Sequence, residues 1–280
     1  PSLVLEIPEN FSMGPRTSEA IHYFVLNRVS EAERWVTAVD VRPGNASIVR
    51  SVQVYVDTTD QARRLDAGDE APGFIMDELE PSFPIEQIIG IWVAGQTTIQ
   101  TDPGLAYYLP ADSDLVARIH YKKTWLDEGL TVEDRTAVGM HFSEASDLTP
   151  IKSLAVGVSG ATDATSGMFV NYDQMIEESI ELLSLIPEID SSPLFVQLEA
   201  ILPTGEVTPI VRLAQPRPAW RTRHWLKEPM QLPAGTRLHV SAIYPTTFAA
   251  ENMSGLRFNM DVVPETQINL ARNNYVLVPR

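Results

Sequence analysis

Apolar and polar residues alternate in short runs along most of this chain, and the runs are rich in valine, isoleucine, threonine and aromatic residues. Alternation with period two over about four to eight positions, bounded by Pro, Gly, Asn or Asp, predicts strands of antiparallel sheets. Such runs occupy 2–7, 21–26, 35–41 and 48–57, the last two separated by the turn Arg42-Pro43-Gly44-Asn45. Residues 59–65 are the one early stretch that reads as a helical turn, and 66–84, acidic and rich in Pro and Gly, reads as a long loop. Strands at 88–93, 115–122 and 136–142 complete the first half, with 109–114 turning into the second of them. Residues 143–150 read as a linker and 157–167 as a small-residue loop. The second half has strands near 179–186, 194–202, 207–213, 236–244, 255–262 and 273–278, with tight turns at Leu202-Pro203-Thr204-Gly205 and Leu232-Pro233-Ala234-Gly235. No short-period repeat or heptad is present. The expected fold is all-β: two tandem jelly-roll β-sandwiches, 1–150 and 151–280.

Composition narrows the function classes. The chain has 280 residues, 44% of them hydrophobic, and a mean hydropathy of -0.07. No run approaches the ~20 apolar residues that span a bilayer, so a membrane-spanning helix is not expected. The first residue is Pro1 with no basic, apolar leader after it, so any signal or anchor is expected to lie outside this sequence. Lys and Arg number 21 against 37 Asp and Glu, a net charge of -16. That argues against nucleic acid or an anionic membrane surface and suits a basic protein partner. Cysteine is absent, which excludes disulfides, thiolate metal sites, covalent haem attachment and cysteine nucleophiles.

One stretch carries candidate chemistry. In Leu182-Leu183-Ser184-Leu185-Ile186-Pro187-Glu188-Ile189-Asp190 an apolar strand runs into two carboxylates, and Glu188 and Asp190 share a face because strand side chains alternate. Two acids at that spacing suit a metal, acid/base work or cations across a groove.

Several segments, in order, resemble bacterial relatives of the copper type II, ascorbate-dependent monooxygenases. They are Pro1-Ser2-Leu3-Val4-Leu5, Val41-Arg42-Pro43-Gly44-Asn45, Ala62-Arg63-Arg64-Leu65-Asp66, Leu115-Val116-Ala117-Arg118-Ile119-His120-Tyr121, Leu183-Ser184-Leu185-Ile186-Pro187, Ala200-Ile201-Leu202-Pro203-Thr204-Gly205 and Leu232-Pro233-Ala234-Gly235-Thr236-Arg237-Leu238. The resemblance implies two jelly-roll domains facing a cleft, with one copper on each side. It also implies where ligands belong. The His-His pair of the first domain falls on Arg50 and Ser51, and its third ligand on His120. The His-x-His of the second domain falls on Glu188, Ile189 and Asp190. Its methionine aligns with 265–271, where no methionine stands; the nearest is Met260. One histidine of six ligands remains. Imidazole and thioether suit copper, whereas an arginine stays protonated and repels a cation. The expectation is therefore no copper, no other metal or cofactor, and no catalysis.

The surviving groups read in other ways. His120 is a core histidine bonded to a backbone carbonyl, or a leftover ligand or proton carrier. Glu188 and Asp190 offer too few oxygens for Ca²⁺ and have no partner motif for acid/base chemistry. The preferred reading puts Arg50 and Lys122 on one wall of the implied cleft and Glu188 and Asp190 on the other, as charge pairs where metals once sat. Arg217, Trp220, Arg221, Arg223 and Trp225, with His224, form the one basic and aromatic cluster, a docking patch or an edge strand with arginine stems lying along it. No Gly-x-Ser-x-Gly elbow supports a hydrolase. The resemblance implies an extracytoplasmic structural or interaction subunit, peripheral on the periplasmic or extracellular face, attached to a respiratory or photosynthetic electron-transfer complex or a c-type cytochrome. The competing class is an enzyme or a small-ligand or metal-binding protein that reuses the cleft.

Overall fold

The computed structural model describes residues 1–28, 32–68, 73–76, 87–145, 147–159, 169–189, 192–217, 221–245 and 255–265. Sequence-predicted features that fall outside these are most of the loops at 66–84 and 157–167, Asp190, Trp220, the strand at 273–278, and the segment beyond Glu265 where a methionine ligand was sought. The chain divides into two compact units, Pro1–Pro150 and Ile151–Arg280.

The first unit contains β1 (Leu3–Glu6), β2 (Phe11–Met13), β3 (Glu19–Arg28), β4 (Arg34–Arg42), β5 (Val49–Asp57), α1 (Gln61–Asp66), β6 (Ile88–Val93), β7 (Leu105–Leu109), β8 (Asp114–Lys122), β9 (Val132–Asp134) and β10 (Ala137–Ser143). Its strands form sheets of order β1-β10-β4-β7 and β3-β8-β5-β6, with β2 and β9 paired separately. The second unit contains β11 (Thr149–Ser159), β12 (Phe169–Met175), β13 (Ile180–Ile189), β14 (Phe195–Ile201), β15 (Val207–Ala214), β16 (His224–Leu232), β17 (Arg237–Ile243) and β18 (Gly255–Pro264). Its sheets have the order β11-β18-β13-β16 and β12-β17-β14-β15.

Strand order identifies the fold. Counting the eight main strands of each unit from its own start (β2 and β9 set aside), one sheet takes the first, eighth, third and sixth, and the other takes the second, seventh, fourth and fifth. Two interleaved Greek keys wound this way are a jelly roll, and the chain repeats the winding in tandem. The hydrophobic alternation follows from it. On β8, Leu115, Ala117, Ile119 and Tyr121 lie on one face, fully buried; on β14, Val196, Leu198 and Ala200 do the same for the second core.

β11, which sequence reading broke into linker and loop, is one strand because of Gly157. Its φ of 138° suits glycine alone, and a Cβ there would stand 2.2 Å from the Leu256 carbonyl oxygen. Gly157 is therefore a point where β11 and β18 approach closely within a ladder that continues from Lys152–Val262 to Ser159–Gly255.

Candidate functional site

In the first unit the sequence-predicted ligand positions meet on the face of the β3-β8-β5-β6 sheet that points away from the core. Ser51 stands opposite His120 across the β5–β8 ladder. The register shifts between Val49 and Ser51, so Arg50 is the extra residue of a bulge, and bulges re-aim side chains. Its Nη2 donates to the Lys122 carbonyl at 2.7 Å. His120 Nε2 lies 2.7 Å from Glu19 Oε1, and Lys122 Nζ donates to Glu19 Oε2 at 2.8 Å. The predicted backbone carbonyl is thus not the partner of His120; a carboxylate from the neighbouring strand is. The register Glu19–Lys122 on β3 and β8 sets this up.

Glu19 was missed by sequence reasoning because its partners lie about a hundred residues downstream. The one available signal is its place on the Glu19, Ile21, Tyr23 face of a strand. The hydrogen bond from Lys122 is the main cause holding its carboxyl below the ordinary range, with His120 adding to it. Burial pushes His120 below its ordinary pKa, against the pull of Glu19; Arg118 and Lys122 push the same way as burial. The neutral ring then carries its proton on Nε2 to donate to an acceptor-only carboxylate. Deeper on the same face, Arg118 Nε donates to the Tyr23 hydroxyl at 3.1 Å and its Nη1 to Gln53 Oε1 at 3.3 Å.

Acidification gives a test. Unfolded His120 takes up a proton near pH 6.5 while the folded ring resists, so the unfolded state binds more protons between its lowered pKa and about 6.5, and stability falls as pH drops through that window. His120→Gln should flatten the change in urea midpoint between pH 7 and pH 5. His224, also pushed down by burial, keeps a residual slope in the variant. Identical slopes for variant and parent would count against a buried neutral His120.

In the second unit Glu188 stands opposite Arg257 on β13 and β18. Arg257 Nε donates to Glu188 Oε2 at 3.0 Å and Nη2 donates to the same oxygen. Burial alone would raise this carboxyl, which is 5% exposed; the charges of Arg257 and Arg221 outweigh it and hold the pKa below the ordinary value. The ion pair accordingly stabilises the unit at neutral pH and is lost as pH falls below about 4. Two and four residues back along β13, Ile186 and Ser184 share the Glu188 face, opposite Asn259 and Asp261. Asp261 accepts a hydrogen bond from Ser184 Oγ and pairs with Arg223 at 2.8 Å.

The described partners of these charged side chains lie within each unit: Lys122 pairs with Glu19, Glu188 with Arg257, and Arg50 bonds a backbone carbonyl. Neighbours on adjacent strands are within reach, which makes such cross-strand partners the ready ones. Arg223, expected on a docking patch, is buried. Its side chain is 7% exposed, ion-paired to a buried carboxylate, with its guanidinium 5.7 Å from the Trp225 ring. Of the remaining cluster, Arg221 and Trp225 are half-buried and Arg217 is exposed.

The donor set does not fit copper. At the positions where the resemblance implies imidazole ligands stand one imidazole committed to Glu19, a serine hydroxyl and an arginine in the first unit, and a carboxylate bound to Arg257 in the second. Among the described residues, no group of three or more His, Asp or Glu is arranged to hold a metal ion. No described helix is long and apolar enough to cross a membrane.

A surface feature that sequence reading passed over lies at 123–130. Trp125, Leu126 and Leu130 are 81%, 65% and 54% exposed, yet the loop that bears them is tightly held. Thr124 donates from both N–H and Oγ1 to Asp127 Oδ2, closing a capping box on a single 3-10 turn. Lys123 Nζ ties the loop down through the carbonyls of Gly14 and Leu130.

No family model matches this chain, and no curated protein matches it. Among solved structures, it is similar to the major capsid protein P2 of bacteriophage PM2, at 8% identity and a TM-score of 0.26, over 88% of this chain and 97% of that one. It is also similar to VP2 of the infectious bursal disease virus subviral particle, at 9% identity and 0.23, over 94% and 72%. A third is the CBM22-1-CBM22-2 tandem domain of Paenibacillus barcinonensis Xyn10C, at 9% and 0.19, over 86% and 82%. Scores this low carry no argument, and the fold assignment rests on strand order.

Proposed function

We propose that this chain is a non-catalytic relative of the copper type II, ascorbate-dependent monooxygenases. In this reading it is a structural and interaction subunit on the extracytoplasmic side, attached to a periplasm-facing electron-transfer complex or c-type cytochrome. The observation that carries the proposal is the state of the positions where ligands belong. Each described side chain there is charged, hydroxylic or already bonded to a protein partner, so redox hydroxylation has no donor set to work with. The acidic surface and the rigid Trp125 loop support docking. A tryptophan held out of the core by a capped turn is preorganised to fill a partner's pocket, and such anchors dominate binding energy.

Two measurements test the reading. Copper titration of the purified protein should give no stoichiometric uptake; stoichiometric copper with ascorbate-dependent oxygen consumption would overturn it. Affinity purification in mild detergent should bring down haem absorbance with the parent protein. Trp125→Ser should reduce that yield roughly tenfold or more, the scale of a lost anchor of about 2 kcal/mol. Parent protein that recovers no haem protein refutes the electron-transfer partner.

A further inference from the structure

We propose that one face of the β12-β17-β14-β15 sheet, the face pointing away from the core of the second unit, binds a neutral oligosaccharide laid across its strands. The inference goes beyond the interaction role and uses none of its residues, so either can fail without the other.

Alternation defines the face. Val170, Val196, Leu198, Leu238 and Val240 enter the core, and the residues between them point the other way. The four strands are described throughout, and their register sorts the outward side chains into rows that cross the sheet. Phe169, Ile243 and Phe195 stand side by side in the first row. Asn171, Ser241 and Gln197 make the second, continued on β15 by Arg212. Asp173, His239 and Glu199 make the third. The face is open: Phe169 is 54% exposed, and Asn171, Asp173 and Arg212 are exposed with it.

The second row decides the class of ligand. Among the described residues, the side chains of Asn171, Ser241 and Gln197 have no hydrogen-bond partner. Each can donate and accept and none is charged, which a ligand dense in hydroxyl groups satisfies in both directions. Charge around the row is balanced, with two carboxylates, Asp173 and Glu199, and two guanidinium groups, Arg212 and Arg237, on the face. Asp173 is itself held by Arg237 at 3.1 Å and by His239 at 2.7 Å. In a chain of charge -16 such a face attracts neither a polycation nor a polyanion, which leaves a neutral polar ligand.

The first row supplies the apolar contact. One side of a sugar ring is lined with C–H groups, which suit the electron-rich face of an aromatic ring. The Arg212 guanidinium lies 4.6 Å from the centroid of the Phe195 ring, so Phe169 is the ring left open. Spacing agrees as well. Adjacent strands lie about 4.8 Å apart, close to the length of one sugar unit in an extended chain. Successive sugars along the row therefore meet Asn171, Ser241 and Gln197 in turn, with the apolar row beside them.

Native gel electrophoresis of the full chain, in gels cast with a soluble polysaccharide, tests the assignment. Dextran, mannan and hydroxyethyl cellulose are the neutral probes, and polygalacturonate is the charged one. At least one neutral polymer should retard the protein, with a Kd near the millimolar range, and polygalacturonate should not. Asn171→Ala and Phe169→Ala should each weaken that retardation about fivefold with an unchanged melting temperature, since both side chains are exposed. No retardation by any of the three neutral polymers, equal retardation by polygalacturonate, or undiminished retardation of the double variant would each overturn the proposal.

Discussion

Replacing Asp134 with alanine is expected to lower the stability of the first unit by about 3–5 kcal/mol, read as a shift in its urea midpoint. Asp134 is 3% exposed, the last residue of β9, and its carboxylate gathers donors from three parts of the unit. Oδ1 accepts from the Asn45 N–H at 2.7 Å. Oδ2 accepts from the Tyr121 hydroxyl at 3.0 Å and from the Thr136 N–H and Oγ1 at 3.1 and 2.7 Å. Burial, reinforced by Asp134, pushes the Tyr121 hydroxyl far above its ordinary pKa, so the phenol keeps its proton and donates. Alanine strands these buried donors at once, and each orphan costs roughly 1–3 kcal/mol. Tyr121, stacked on Phe11 at 4.3 Å, would also lose the bond that fixes its ring. Asp134→Asn retains one oxygen but turns an N–H₂ toward donors, so it should fall between parent and alanine variant. A loss below about 1 kcal/mol for the alanine variant would show that water replaces the carboxylate, contrary to its burial.

The second large effect is expected in the other unit. Arg223→Met should cost about 3–5 kcal/mol, because it removes the cation that stands 2.8 Å from the Asp261 carboxylate, which is 2% exposed. Arg223→Met combined with Asp261→Leu should recover most of the loss, since a well-packed apolar pair removes two desolvation costs together. Additive effects in the double variant would mean that the two side chains act separately. Unfolding followed by tryptophan fluorescence measures both variants.

The legible part of the molecule is its cores. Strands whose alternation survives intact, such as 115–122 and 194–202, are found close to where they were expected, because a buried face and a polar face leave a period-two trace. Edge strands leave a weaker one. β16 includes Lys227, Glu228 and Pro229, and β12 places Asn171, Asp173 and Met175 on an exposed face. Both end their sheets, where charge and proline are tolerated and even useful against edge-to-edge pairing. The site was half legible. The positions brought together, Ser51 with His120, follow from alignment of motifs, whereas the partners Glu19, Arg257 and Asp261 follow from register, which no local pattern encodes.

The winding of each roll also governs when it can fold. Within the first unit, Leu3 pairs with Met140 and Glu6 with Ala137, so the opening strand has no permanent neighbour until nearly the whole unit exists. In the second unit Lys152 likewise pairs with a residue more than a hundred positions on, Val262. Closure across such separations places this topology among slow folders, on the order of milliseconds to seconds. On a ribosome adding about 5–20 residues per second, β1 would wait several seconds for β10. During that interval its edge is open to any passing strand. The strands that pair with one another inside the first roll all precede residue 151, so those ladders can form while the second roll is still being made.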